Sequence, residues 1–183
     1  MDFLGPITPN STNGAVYIIL AVDYFSRYLF AHTTRQNTGA AVVEFVKRIT
    51  NVFGWPLAFY VDNGSHFVKG DLPKLLELTG TKSFTAPITN PRSVGLAERY
   101  VQMILAGLRV KVEADARPDA LGRWDEHLEE VVHAINTRIL RVHGFSPSQL
   151  FIGLNVRLYP EDQTAVEQIR RTQLEAFTNE PLE

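Results

Sequence analysis

Three carboxylates carry the residue types this chain could use for chemistry. They are Asp2 in Met-Asp-Phe-Leu-Gly-Pro, Asp62 in Tyr-Val-Asp-Asn-Gly-Ser-His-Phe and Glu98 in Gly-Leu-Ala-Glu-Arg-Tyr, with 35 residues between the last two. Carboxylates gathered without His or Cys are hard oxygen ligands. They suit Mg²⁺ or Mn²⁺, which keep several waters and accept substrate phosphate oxygens. Two such ions roughly 3.5–4 Å apart would activate an attacking oxygen and stabilise the leaving one in an in-line displacement at phosphorus. That chemistry is phosphodiester cleavage or transesterification.

Each residue alone has a plainer reading. An isolated Asp-Asn-Gly is usually a turn. A Glu in the first turn of a helix is usually a charge set against the helix dipole, and an Asp near a chain end is ordinarily solvated. The combination is what carries weight, because Asp-Asn-Gly-Ser-x-Phe closes an apolar strand and Gly-x-x-Glu-Arg opens a helix. Asp23, in Asp-Tyr-Phe-Ser-Arg, reads as a turn former between two strands. His66 reads as a solvated loop residue. His32, His127, His133 and His143 show no paired metal spacing.

The elements that must position these groups follow from pattern. The run from Gly14 to Val22 is apolar and rich in β-branched residues, too continuous to alternate, so it predicts a strand covered on both faces in the middle of a sheet. Turn residues lie before it, and Tyr28 to Thr33 follows as a strand, giving an antiparallel three-stranded meander over residues 1 to 33. Thr38 is placed to cap a helix carrying Ala41, Phe45, Ile49 and Val52, and Gly54 to end it. Leu57 to Val61 predicts a short buried strand that delivers Asp62. A helix from about Asp71 to Thr79, with Pro73 in its first turn, and a short strand from Lys82 to Phe84 come next. Ala86 to Gly95 reads as an irregular loop, residues 96 to 115 as a helix with Glu98 in its first turn, and Trp124, Leu128, Val131 and Ile135 as a further helix. Ser146-Pro147 is a cap with a first-turn proline, and residues 161 to 177 predict a charged peripheral helix. Asp2 leaving a first strand, Asp62 ending another and Glu98 opening a helix could converge at one sheet edge, where ligands of α/β sheets bind.

Composition bounds the class. The 183 residues are 45% hydrophobic and 21% charged, as in one soluble globular domain. There is no cysteine, so no disulfide framework and no Cys-containing zinc site. No apolar run has the length of a membrane span, and no leader sequence is readable. The net charge of −2 is unusual for a protein that lives on DNA, so any affinity for DNA must be local or supplied by other modules.

The three motifs and their spacing resemble the integrase catalytic core of retroviruses and LTR retrotransposons, nearest to the Gypsy-type branch, over about residues 1 to 158. Trp124, Leu128, Ala134-Ile-Asn-Thr137, Gly144-Phe-Ser-Pro147 and Leu150-Phe-Ile-Gly153 extend the resemblance and read as packing and caps. The resemblance implies a ribonuclease H-like α/β fold: a mixed five-stranded sheet, antiparallel in its first three strands and then parallel, with helices on both faces. It implies a catalytic core at 1–158 and a charged helical tail at 159–183. Asp2 and Asp62 would bind one Mg²⁺ or Mn²⁺ ion and Asp2 and Glu98 a second. The activity implied is a metal-dependent polynucleotidyl transferase that trims DNA 3′ ends and joins them to target DNA. Lys82, Asn90, Arg92, Ser93, Arg99 and Gln102 are the expected DNA contacts, with Arg109 and Lys111 further along. Val94 and Val101 stand where polar residues are common in the family. Partners expected by analogy are element-end and target DNA in the nucleus and a second copy of the chain, with the helix near residues 123 to 140 as the candidate surface. The His-His-Cys-Cys zinc module and the C-terminal module of full integrases are not recognisable, so the chain reads as a domain of a polyprotein or a remnant of an element. Two rival readings stand beside this one: a catalytically silent or domesticated DNA-binding or assembly module, and a nuclease acting on RNA–DNA hybrids.

Overall fold

The computed structural model describes residues 1–62, 64–85, 91–141 and 144–153. The predicted tail helix and Asn90 lie outside them. In chain order the elements are β1 (Asp2–Leu4), β2 (Tyr17–Val22), β3 (Leu29–Thr34), α1 (Gly39–Phe53), β4 (Ala58–Val61), α2 (Ser65–Val68), α3 (Asp71–Thr79), β5 (Lys82–Thr85) and α4 (Pro91–Ala114). A 3₁₀ segment (Ala120–His127), α5 (Leu128–Thr137) and α6 (Pro147–Ile152) follow.

The predicted meander is present, with order β1-β2-β3 and β2 in the centre, paired antiparallel to both neighbours. β2 is covered on both faces, as its continuous apolar run requires. Ile18 and Leu20 point into a core built with Leu4, Leu29, α4 (Tyr100, Ile104, Leu108), Trp124, Leu128 and Val131. Ile19 and Ala21 point the other way, into a core built with α1 (Val42, Phe45, Val46), β4 (Phe59, Val61), Phe67, Leu72 and Leu76. Alternation along one strand thus feeds two helical layers.

The mixed five-stranded sheet is realised as two ladders, the antiparallel trio and a separate parallel pair β4-β5. Among the described residues a hydrogen bond bridges them, from the Met1 amine to the Tyr60 carbonyl at 2.6 Å. β1 has only three residues, all paired to β2, so little of its other edge is available for a second regular ladder.

Three local expectations need correction. α1 is capped by Thr38, whose hydroxyl accepts from the Ala41 amide at 3.4 Å, and it ends at Gly54. Its buried stripe is Val42, Phe45, Val46 and Thr50, however, and Val52 is exposed, because the stripe follows the core and not the predicted row of apolar residues. β4 starts at Ala58, leaving Leu57 in solvent. α4 begins at Pro91, where a proline suits the first helical position, so Glu98 lies about two turns into the helix and not in its first turn.

Two packing details fix the helical layer on the sheet. β3 is the edge of its ladder, and at Leu29 its outward backbone groups meet the amide of Asn136 on α5. The Asn136 Oδ1 accepts from the Leu29 N–H and its Nδ2 donates to the Leu29 carbonyl, both at 2.8 Å and both buried. The side chain stands in for a neighbouring strand, which blunts the edge at that point. Gly107 of α4 lies so close to α5 that an added Cβ would come within 2.6 Å of Val131 Cγ1. α6 carries a capping box between Ser146 and Gln149 with Pro147 at its start, as the sequence predicts. It also seats Phe151 against Tyr28, Phe30 and Phe53.

Asn136→Leu should therefore cost about 2–4 kcal/mol in urea unfolding, because two buried backbone groups lose their partners. Gly107→Ala should cost about 1–3 kcal/mol through overpacking, although alanine is the better helix former by roughly 1 kcal/mol. Gly95→Ala, with open space around the added methyl, should be neutral or stabilising in the same measurement.

Candidate active site

Asp2 is carried on β1, held by pairing of Asp2 with Leu20 of the central strand. Its Oδ1 accepts from the Phe3 N–H at 2.7 Å. Burial raises the Asp2 carboxyl above the ordinary carboxylate value, and the charge of Asp62 pushes in the same direction. The Phe3 amide, the Met1 amine and His66 act the other way. Asp62 follows directly on β4, whose Phe59 and Val61 are anchored in the second core, and is itself exposed. The fold thus brings the first two predicted carboxylates into one electrostatic neighbourhood, one half-buried and one facing solvent.

Glu98 is exposed on α4. Among the described residues no three His, Cys, Asp or Glu side chains are gathered closely enough to hold a metal ion. The aspartate pair alone has the chemistry a hard cation wants, because two oxygen donors with like charge and no neighbouring sulfur are relieved by a divalent ion.

His66 has a more defined place than a solvated loop residue. Its ring meets Phe3 edge-on at 4.9 Å between centroids and Phe67 at 4.4 Å, and a Cβ on Gly64 would fall 2.6 Å from its Cε1. Glycine in the Asp-Asn-Gly motif therefore makes room for an imidazole beside Asp2. The signal was in the sequence, since His66 follows Asp62 by four residues, but only packing shows that its ring lies against Phe3.

Asp23 is the turn former it was read as. Its Oδ2 accepts from the Ser26 amide and hydroxyl, both at 2.7 Å, and its carbonyl accepts from the Arg27 N–H. Arg27 has φ of 66°, an unusual conformation for a side chain of that size, and its carbonyl accepts from the Tyr100 hydroxyl at 2.7 Å.

Of the expected DNA contacts, Lys82, Arg99 and Gln102 are exposed, and Arg92 and Ser93 lie in the first turn of α4. Arg109 is exposed, whereas Lys111 is 2.7 Å from Glu130 in an ion pair. Arg27, Arg138 and Arg99 all act on the Tyr100 phenol, which burial raises above its usual value, so three cations gather at this end of α4. At the other end, Arg117 and Arg123 are taken up by Asp115, Asp119 and Glu126. Local positive charge among the described residues thus lies near the Glu98 end of the helix.

A central antiparallel trio with a parallel pair beside it, helices on both faces and two aspartates at adjoining strands define an α/β fold of the ribonuclease H-like kind. The comparisons agree. The family model described as Integrase core domain matches residues 1–91. An uncharacterized protein of Caenorhabditis elegans is 24% identical over 158 residues, covering 86% of this chain and 12% of its own length. A retrovirus-related Pol polyprotein from transposon 412 of Drosophila melanogaster is 23% identical over 154 residues, 84% of this chain and 12% of that protein. The chain thus spans about an eighth of these relatives. Among solved structures, the simian T-cell lymphotropic virus intasome in complex with a PP2A regulatory subunit superposes with a TM-score of 0.68 at 20% identity, over 86% of this chain and 56% of the other. The HTLV-2 integrase catalytic core domain in complex with magnesium does so with a TM-score of 0.62 at 18% identity, over 81% of this chain and 94% of that one. The chain is similar to integrase catalytic cores in sequence and in fold, as its carboxylate motifs implied.

The raised Asp2 carboxyl has a pH signature. Its neutral form is favoured by folding, so its contribution is fully present below the unfolded carboxyl value, about pH 4, and is lost as pH rises through the folded one. Asp2→Asn keeps an acceptor for the Phe3 amide and should raise Tm at neutral pH in a chelator. Mn²⁺ several times above its Kd should raise Tm of the unaltered protein by roughly 2–4 °C, equivalent to about 1 kcal/mol, and should leave Asp2→Asn and Asp62→Asn unmoved.

Proposed function

We propose that this chain is an integrase catalytic core, a metal-dependent polynucleotidyl transferase that trims DNA 3′ ends and joins them to target DNA during retrotransposon integration. The observation that carries the reading is the juxtaposition of Asp2 and Asp62 on adjoining strands of an integrase-core fold, with the Asp2 carboxyl raised by burial and by its neighbour. Asp2 and Asp62 would hold a Mg²⁺ or Mn²⁺ ion, and Glu98 would complete the site with a second. The ions supply activation of an attacking oxygen and charge stabilisation at the phosphorus.

The chain's own groups have separable tasks. β2 fixes Asp2, and the buried Phe59 and Val61 fix Asp62, so the two oxygen donors are set before substrate arrives. Phe3, next to Asp2 on β1, is packed against Phe67 and His66. Arg99, Arg92 and Lys82 are the groups we assign to phosphates, with Asn90, Ser93 and Gln102 as polar contacts, because phosphate contacts position a strand without reading its sequence. Water would be the nucleophile in trimming and the freed 3′ hydroxyl in joining, with no covalent enzyme intermediate. We assign the core to 1–158, the reaction to the nucleus and the working form to a multimer on DNA, the solved intasome being the parallel.

Glu98, exposed on α4 and not gathered with the aspartates into a three-ligand group among the described residues, favours one alternative, a silent module that binds DNA without cutting it. A Mn²⁺-dependent disintegration assay on branched DNA separates the two. The unaltered chain should resolve the branch, and Asp62→Asn should reduce the rate by at least about a hundredfold, the order expected when transition-state charge stabilisation is lost. Equal activity in the variant would remove Asp62 from the site, and a folded but inactive parent would favour the silent module.

A further inference from the structure

Tyr60 and Phe84 stack on one another with ring centroids 5.2 Å apart and planes at 25°. They do so in solvent, 57% and 43% exposed. Aromatic rings ordinarily contribute by being covered, so a stacked pair this exposed keeps the outer face of each ring open among the described residues. Its place in the sheet is defined by register. Tyr60 opposes Phe84 and Ala58 opposes Lys82, so Tyr60, Phe84 and Lys82 share one face of the β4-β5 ladder. Phe59 and Val61 occupy the opposite face, buried with the core beneath α1 and α3. The aromatic face is therefore on the α4 side of the molecule, the side where Tyr100, Ile104 and Leu108 cover the other ladder. Tyr60 lies on β4 two residues before Asp62, and its carbonyl accepts from the residue next to Asp2.

We infer that Tyr60 and Phe84 form a stacking platform for unpaired bases of the DNA strand whose end lies at Asp2 and Asp62. Lys82, exposed at the far end of the same face, meets a phosphate of that strand. The inference rests on the integrase reading. Charge selects the occupant: a carboxylate pair lies at one end and the Lys82 ammonium at the other, with two π faces between. A nucleotide chain offers flat bases for the rings and a phosphate for the lysine, and stacking on aromatic side chains is tolerant of base identity. The carboxylate end repels phosphate when no ion neutralises it, which leaves the rings beside it to the bases. The platform would hold a strand end after its last pairs have opened, a task the basic cluster around Tyr100 does not perform because arginines on phosphates do not distinguish paired from open bases.

Fluorescence anisotropy in a chelator tests this without the reaction, using the whole chain with a labelled single-stranded oligonucleotide and with a blunt duplex. The Tyr60→Ala, Phe84→Ala double variant should weaken single-strand binding about tenfold while changing duplex binding by less than about twofold, given what one base-aromatic stack contributes. Tyr60→Phe should keep the affinity and Tyr60→Leu, which preserves apolar bulk without a π face, should lose it. Circular dichroism melting of each variant confirms folding. Unchanged single-strand affinity in the double variant, equal loss on both substrates, or full affinity in Tyr60→Leu would overturn the platform. Strand resolution of branched DNA in Mn²⁺ is read on the parent separately: a parent that resolves the branch while the double variant keeps full single-strand affinity sinks the platform alone, and a folded parent that resolves nothing sinks the integrase reading.

Discussion

Almost everything in this structure depends on β2 being apolar on both faces. A strand that alternated apolar and polar residues would support one helical layer and leave the other face wet. Here Ile18 and Leu20 seat α4, α5 and the 3₁₀ segment, while Ile19 and Ala21 seat α1, α3 and β4. β1 is short and is held in register by that strand, and β4 is held by the core beneath its other face. Both aspartates thereby inherit their positions from one six-residue strand that carries no carboxylate of its own.

The site built on this frame is electrostatically tense in a useful direction. A half-buried carboxyl next to a second carboxylate favours its neutral form, and a divalent cation reverses that preference by supplying the charge the protein does not. His66 and the backbone amide of Phe3 moderate the tension without removing it. The small residue at Gly64 matters for the same reason, since it lets the imidazole lie against Phe3 instead of swinging into solvent.

The helical half of the chain serves the sheet by closing its edge and by sorting charge. Asn136 gives Leu29 the two hydrogen bonds that a further strand would have given, so β3 can end the ladder without an open edge at that point. Arginines are divided between two ends of α4: those near Asp115 are held in carboxylate networks, and those near Tyr100 surround one phenol. A chain with a net charge of −2 can therefore still carry local positive charge at one end of α4.

The sequence by itself determined the two-sided strand, the meander and the caps at Thr38 and Ser146, because each follows from local periodicity or from side chains that satisfy nearby backbone groups. Asp23 as a turn former was equally legible, since its partners lie within four residues. Tertiary structure decided the rest. The start of α4 at Pro91 moved Glu98 away from the helix end, and the core chose Val42 and Val46 over Val52 as the inner stripe of α1. Periodicity gives the spacing of a stripe, but not the angle at which it meets a sheet. The role of Asn136 and the closeness of Gly107 to Val131 were invisible for the same reason, since both depend on contacts between residues far apart in the chain. The stacking of Tyr60 on Phe84 belongs with them: register between two strands brings the rings together, and register is fixed by what each strand buries on its other face.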